Sequence, residues 1–126
     1  MEELPYIIFG SPQIGPEEVK KVSETLASCW IGTGPRVHEF ERKIAEYCGS
    51  KYAVAVGSCT AALHLSMIVS GIGPGNEVIT TPLTFAATAN SIIHTGATPV
   101  FVDVDRNTMN IDPARVEEAT TENTKA

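Results

Sequence analysis

Basic charge is in short supply in this sequence. Nine Lys and Arg residues stand against fifteen Asp and Glu, a formal net charge of −6. The nine are scattered, so no basic face tracks a phosphate backbone, and neither a nucleic-acid nor a membrane partner is expected. Cysteine is scarce too: Cys29, Cys48 and Cys59, an odd number with no Cys-x-x-Cys. That spacing indicates neither a disulfide framework nor a zinc site, and a reducing cytoplasm is the expected compartment. No apolar run approaches the roughly 20 residues of a membrane span. The start, Met1-Glu-Glu-Leu-Pro-Tyr6, is acidic and has no signal-peptide pattern. There is no internal repeat, low-complexity tract or linker. What is present is ordinary globular material: 126 residues, 43% hydrophobic and 19% charged, enough for one domain with a core.

Residues 1–14, with Pro5 and Pro12, read as an extended arm. Pro16 stands where a helix can begin, with Glu17 and Glu18 in the first turn, where acids suit the helix dipole. Val19, Val22 and Leu26 then recur at helical spacing, so the pattern predicts a helix over Pro16–Ser28 with one buried face. Two glycines and a proline break the chain at Cys29–Pro35. The single tryptophan, Trp30, lies in that loop. It reads either as a plug over the core or as one wall of a ligand pocket, since loops on a rigid scaffold carry binding residues. A second amphipathic helix is predicted over Arg36–Cys48, striped by Val37, Phe40, Ile44 and Tyr47 and closed by Gly49. His38, on its early charged part, reads as solvated.

The stretch Tyr52–Met67 organises the rest. An apolar strand, Tyr52–Val56, runs into a small-residue turn, Gly57–Cys59, and a helix predicted over Thr60–Val69. Such a turn leaves unpaired N–H groups at the positive end of a helix dipole, a ready site for phosphate. His64 sits inside that apolar helix and reads as a packed histidine, since no partner stands at metal spacing. Glu77–Thr81 is predicted as a strand ended by Pro82, and Thr84 as the cap of a helix over Phe85–His94. Thr98–Val102 is a third predicted strand, ending at Asp103-Val104-Asp105. The two acids read either as paired catalytic carboxylates or, more commonly for acids at a strand end, as acceptors for turn N–H groups. Asp112 caps a last helix with Pro113 at its first position, reaching about Ala119. Strand–helix alternation of this kind predicts an α/β domain around a largely parallel sheet covered on both faces. Thr121–Ala126 has the look of a connection into a further strand, so the chain is expected to be truncated there.

Ligands of open α/β sheets bind beyond the carboxyl ends of the strands. Two features stand there: the helix start at Ser58-Cys59-Thr60-Ala61, and Phe85 after the second strand. An anion cradle beside an aromatic platform suits a flat, phosphorylated cofactor.

Five segments, in order and across nearly the whole chain, resemble the sugar-nucleotide aminotransferases of the DegT/StrS type. They are Cys29–Glu41 (CWIGTGPRVHEFE), Ala53–Leu65 (AVAVGSCTAALHL), Gly71–Asn90 (GIGPGNEVITTPLTFAATAN), Gly96–Asp105 (GATPVFVDVD) and Asn110–Pro113 (NIDP). The resemblance implies a pyridoxal-phosphate (PLP) enzyme of the aspartate-aminotransferase fold. Residues 1–126 would be the N-terminal part of its major domain, a three-layer α/β/α structure left incomplete. It implies that Thr60 and Ala61, with Cys59 beside them, hold the PLP phosphate, that Phe85 stacks on the pyridine ring and that Thr88 lines the cofactor pocket. Trp30 would lie toward the substrate. Cys59 departs from the family, which usually has Gly there; a helix start does not demand positive φ, so the change is expected to be tolerated.

The implied parent takes an amino group from an amino-acid donor, places it on a nucleotide-linked keto-sugar and works as a homodimer. The lysine that would bind PLP covalently belongs to a later segment: none of Lys20, Lys21, Lys43, Lys51 and Lys125 matches it. Asp103 and Asp105 do not match the acid that pairs with the pyridine nitrogen. No catalytic residue is therefore assigned. The resemblance also places Tyr52–Val56 in a seven-stranded sheet, beside strands supplied later, so this chain alone is expected to fold poorly. Three alternatives stand beside the aminotransferase: a non-catalytic or regulatory member of the family, a PLP-dependent sugar dehydratase with histidine in place of the lysine, and a free-standing α/β phosphate-binding module.

Overall fold

Two compact units, Met1–Ala55 and Val56–Ala126, make up the chain. The computed structural model describes residues 10–126. Most of the arm expected over 1–14 lies outside the described residues.

The first unit holds α1 (Pro16–Ala27) and α2 (Pro35–Cys48). The start of α1 follows its sequence signals. Pro16 opens it, and the Gly15 N–H donates to the Glu18 carboxylate at 2.7 Å, satisfying one donor that the helix leaves free. At the far end of α2, Gly49 adopts φ 66°, and the Ser50 N–H reaches back to the Ala45 carbonyl at 2.9 Å. This is the left-handed glycine closure the sequence predicts. The expected buried faces do not form. Val19, Val22 and Leu26 on α1 stay more than half exposed, at 57%, 60% and 61%, and Phe40 and Tyr47 on α2 are exposed too. The periodicity is real, but a stripe is buried only where another element covers it.

Tyr52–Val56 brings the second correction: the expected strand is absent. A strand is held by a neighbour's ladder, and none runs beside it among the described residues. Tyr52 and Val54 are exposed, while Ala53 and Ala55 are half-buried. One backbone group finds a side-chain acceptor instead. The Ala55 N–H donates to Glu41 Oε1 at 2.9 Å, and Oε2 of the same carboxylate lies 3.3 Å from His38 Nδ1. His38 is therefore engaged, although its ring is largely exposed.

The second unit holds α3 (Cys59–Val69), β1 (Glu77–Thr80), α4 (Ala87–Ile93), β2 (Thr98–Phe101) and α5 (Pro113–Ala119). β1 and β2 pair in parallel, from Glu77 opposite Thr98 to Thr80 opposite Phe101. Each strand stops one residue short of its expected end. The other edge of β1 is used as well: the Ile79 N–H donates to the Ala126 carbonyl at 2.8 Å and the Lys125 N–H to Glu77 at 2.9 Å. Residues 124–126 thus run parallel to β1, continuing the helix-to-strand connection read in the sequence. Ile72, Val78, Ile92 and Ala97 form the core, with Met67 of α3 packed against it. Ile92 is 1% exposed; burying a side chain of this size contributes about 1.5–3 kcal/mol.

The acids after β2 are spent on turns. The Asp105 carboxylate accepts from the Asn107 and Thr108 N–H groups, both at 2.9 Å, and these bonds hold its carboxyl below the usual range. Asp103 accepts from the Val104 N–H at 2.8 Å. The turn reading is the one the structure shows. Asp112 caps α5 by accepting from the Ala114 N–H at 2.9 Å, with Pro113 first in the helix.

The Glu41 bond gives a prediction with a definite sign. The Ala55 N–H first, and His38 second, hold the Glu41 carboxyl below its ordinary 4.5. A depressed folded-state pKa means the interaction is present above the ordinary value and is lost as pH falls through the lowered one. Hydrogen exchange of peptides spanning Ala55 should be faster in Glu41→Ala than in the parent chain near neutral pH. That difference should close as pH falls through the lowered value. A difference independent of pH would show that the carboxylate charge is not what holds Ala55.

Candidate functional site

The second unit contains the helix start read as an anion cradle. Ser58 is extended, with φ −162° and ψ 160°, and its Oγ accepts the Ala61 N–H at 3.1 Å. The Ala62 N–H returns to the Ser58 carbonyl at 3.1 Å, closing the first helical turn. The N–H groups of Cys59 and Thr60 have no acceptor among the described residues. Two free donors therefore stand at the positive end of an 11-residue helix. Donors of this kind fit a phosphate. α3 begins one residue earlier than expected, so Cys59 is its first residue; it is not among the non-glycine residues with positive φ, which are Cys29 and Met109. A side chain is therefore accommodated at Cys59 without backbone strain. Cys59 and Thr60 are exposed and Ala61 is half-buried. Farther along α3, His64 meets His94 edge-on, with ring centroids 5.8 Å apart, as expected of a packed histidine.

α4 starts later than the sequence predicts. Its cap is Ala86, with no side-chain cap bond, so Phe85 precedes the helix and Thr84 does not cap it. The Thr84 hydroxyl instead meets the Thr88 hydroxyl at 3.0 Å. Competing side-chain bonds of this sort are what make Thr a weak marker of a helix boundary. Phe85 is 80% exposed, an aromatic ring its own chain leaves uncovered. Thr88 is half-buried and fixed at both backbone ends. Its N–H donates to the Phe85 carbonyl at 3.0 Å, and its carbonyl accepts from the hydroxyl of buried Ser91 at 2.8 Å. The structure thus brings Cys59, Thr60, Ala61, Phe85 and Thr88 into one unit, on and just before two helices that pack together. Thr84 is the residue that sequence reasoning misplaced. Its spacing of four from Thr88, one helical turn, was the signal available.

Trp30 belongs to the first unit. Its ring folds back on its own loop, where Nε1–H donates to the Thr33 carbonyl at 3.0 Å. Any Cβ at position 34 would collide with the indole, which is why a glycine stands there. Trp30 is half-exposed and plugs no core; with Ile31, Pro35 and Val37 it walls an open cleft of about 300 Å³.

A parallel α/β unit with free donors at a helix start and an uncovered aromatic after the next strand defines a class: α/β proteins that take a phosphorylated ligand. Residues 12–126 match the DegT/DnrJ/EryC1/StrS aminotransferase family, and the chain belongs to that family. It is 59% identical to the spore coat polysaccharide biosynthesis protein SpsC of Bacillus subtilis, over 96% of this chain and 31% of that one. Among solved structures, it superimposes with a TM-score of 0.88 on Spr1654 of Streptococcus pneumoniae, a protein assigned as a sugar aminotransferase. The two are 42% identical, over 94% of this chain and 30% of the other, and Spr1654 is known in PLP and PMP forms. An aminotransferase from Psychrobacter cryohalolentis gives a TM-score of 0.86 at 40% identity, over 95% of this chain and 30% of that one. The fold is thus part of the α/β domain of these enzymes, and the chain spans about 30% of their length.

Two outcomes test this description. Ser58→Ala removes the side-chain cap of α3 and should cost about 1 kcal/mol in denaturant unfolding of the full-length protein, with Ser58→Asp restoring most of it. The 126-residue chain by itself, with Val19, Val22, Leu26, Tyr52 and Val54 uncovered, should bind an apolar dye and self-associate. A monodisperse monomer with a sharp cooperative melt would contradict the second expectation.

Proposed function

We propose that the protein carrying this segment is a PLP-dependent aminotransferase that moves an amino group from an amino-acid donor to a nucleotide-linked keto-sugar. Its products would serve cell-surface polysaccharide or amino-sugar synthesis in the cytoplasm. Residues 1–126 form the N-terminal portion of its major domain, and the working protein is a homodimer. The observation that carries the reading is the pair of free N–H donors at the start of α3, in the same unit as the uncovered Phe85, within a chain of this family.

Each residue has a task. Cys59 and Thr60 offer backbone N–H groups to the phosphate, and Thr60 adds a hydroxyl. Ala61 completes the turn, its own N–H being held by Ser58. Phe85 gives the pyridine ring a flat apolar face to lie on. Thr88 lines the pocket, and Trp30 forms a wall on the substrate side. When bound, the cofactor supplies the aldehyde and electron-withdrawing ring that carry the amino group from donor to sugar ketone. The residues described here bind and orient; the covalent link needs a lysine from the remainder of the protein. Among the described residues, no helix is long and apolar enough to cross a membrane.

The test is spectroscopic. PLP added to the full-length protein should give an absorbance band near the visible edge. An amino-acid donor should remove the band, and a nucleotide-linked keto-sugar should restore it. No band, or a band that no donor alters, would overturn the proposal. A histidine in place of the expected lysine would point to the dehydratase instead.

A further inference from the structure

Thr84 has lost the capping role its sequence position suggested, and among the described residues its hydroxyl has one partner, the hydroxyl of Thr88 at 3.0 Å. We propose that Thr84 is a positioning residue of the cofactor site, acting through Thr88; this rests on the cofactor reading above. The backbone of Thr88 is already fixed, through the Phe85 carbonyl on one side and the Ser91 hydroxyl on the other, with Ser91 1% exposed. What remains free is χ1. A threonine in a helix divides between two rotamers, because its Oγ can turn back to a carbonyl of the preceding turn. Thr84, four residues earlier, offers Thr88 Oγ a side-chain partner, and no bond from that hydroxyl to a backbone carbonyl is present among the described residues.

Either hydroxyl can give the hydrogen in this contact, and the cofactor reading calls for Thr84 to give it. A hydroxyl has one hydrogen to give and two lone pairs to accept with. When Thr84 donates to Thr88, the Thr88 hydrogen stays available for an acceptor on the ligand. PLP is rich in acceptor oxygens, so this orientation is the one that favours it. Phe85 lies between the two threonines in sequence, so one short turn carries both the stacking ring and the hydroxyl relay.

The experiment is an equilibrium titration of the full-length apoprotein with PLP, read by absorbance, alongside unfolding midpoints of the apoproteins. Thr84→Val keeps the shape and deletes the hydroxyl; it should raise the Kd for PLP roughly three- to tenfold, the range of one net hydrogen bond. Thr84→Ser should stay close to the parent. Thr88→Val should bind at least as weakly as Thr84→Val, and the double variant should bind no worse than Thr88→Val alone, because the two residues act as one unit. Unchanged PLP affinity in Thr84→Val overturns the proposal, as do strictly additive losses. So does a lowered apoprotein midpoint with an unaltered Kd, which would make Thr84 a stabiliser of the turn only. A parent protein that takes up no PLP overturns the cofactor reading itself, a result distinct from uptake that Thr84→Val leaves intact.

Discussion

The constraint on which the rest depends is that every extended segment must find partners for its backbone. β1 succeeds on both edges. The carbonyls of Asn76, just before it, and of its own Thr80 accept N–H groups from the β2 side, while Glu77 and Ile79 bond to residues 123–126 on the other. Alternation along a strand makes this possible, since successive residues aim their backbone groups at opposite neighbours. With β1 central, Val78 and Thr80 are buried, and Ile92 of α4 and Ile72 have an apolar surface to close against. Tyr52–Val56 shows the opposite case. It has strand composition and, among the described residues, no strand beside it. One of its N–H groups is met by a carboxylate, and its large side chains stay in water.

That contrast places the candidate site. Two positions with unmet capacity in the second unit are ones the cofactor reading uses. At the start of α3, two N–H groups have no acceptor among the described residues, and before α4 an aromatic ring is uncovered. No buried side-chain nitrogen or oxygen lacks a partner among the described residues. Asp103 and Asp105 illustrate the difference. They look chemically promising in sequence, yet one oxygen of each, Oδ1, accepts from turn N–H groups, the ordinary use of acids at a strand end.

What was legible in the sequence follows from how local each signal is. Pro16 with Glu18, Gly49 and Asp112-Pro113 act within a few residues of themselves, and each caps or closes its helix where expected, while Ser58 caps α3 one residue ahead of its expected start. The β1–β2 pair was legible because the helix between them brings two parallel strands together. The failures are non-local. The stripes of α1 and α2 say which face would be buried but not what would bury it. Tyr52–Val56 says strand but cannot supply a ladder. The late start of α4 is subtler: Thr84 had two uses for its hydroxyl, and the choice depended on Thr88 being held one turn away. The family resemblance, carried by segments spread along the chain, identified the protein's class where no single motif did.

Cys59 shows why the cradle tolerates departures in its side chains. A phosphate held by backbone N–H groups is recognised by the geometry of a helix start, and any residue with helical dihedrals supplies the same donor. Glycine would be required if φ were positive, as at Gly49, or if a Cβ met a neighbour, as at Gly34 under the Trp30 ring. Neither condition is shown at position 59, and its side chain is exposed. The demand is stricter where recognition passes through a side chain. At Thr88 the donor is a rotating hydroxyl, so its usefulness depends on what fixes its angle, and the partner at hand is Thr84. On the cofactor reading proposed above, the phosphate end is set by main-chain geometry, while the end near Phe85 depends on the identity of particular side chains.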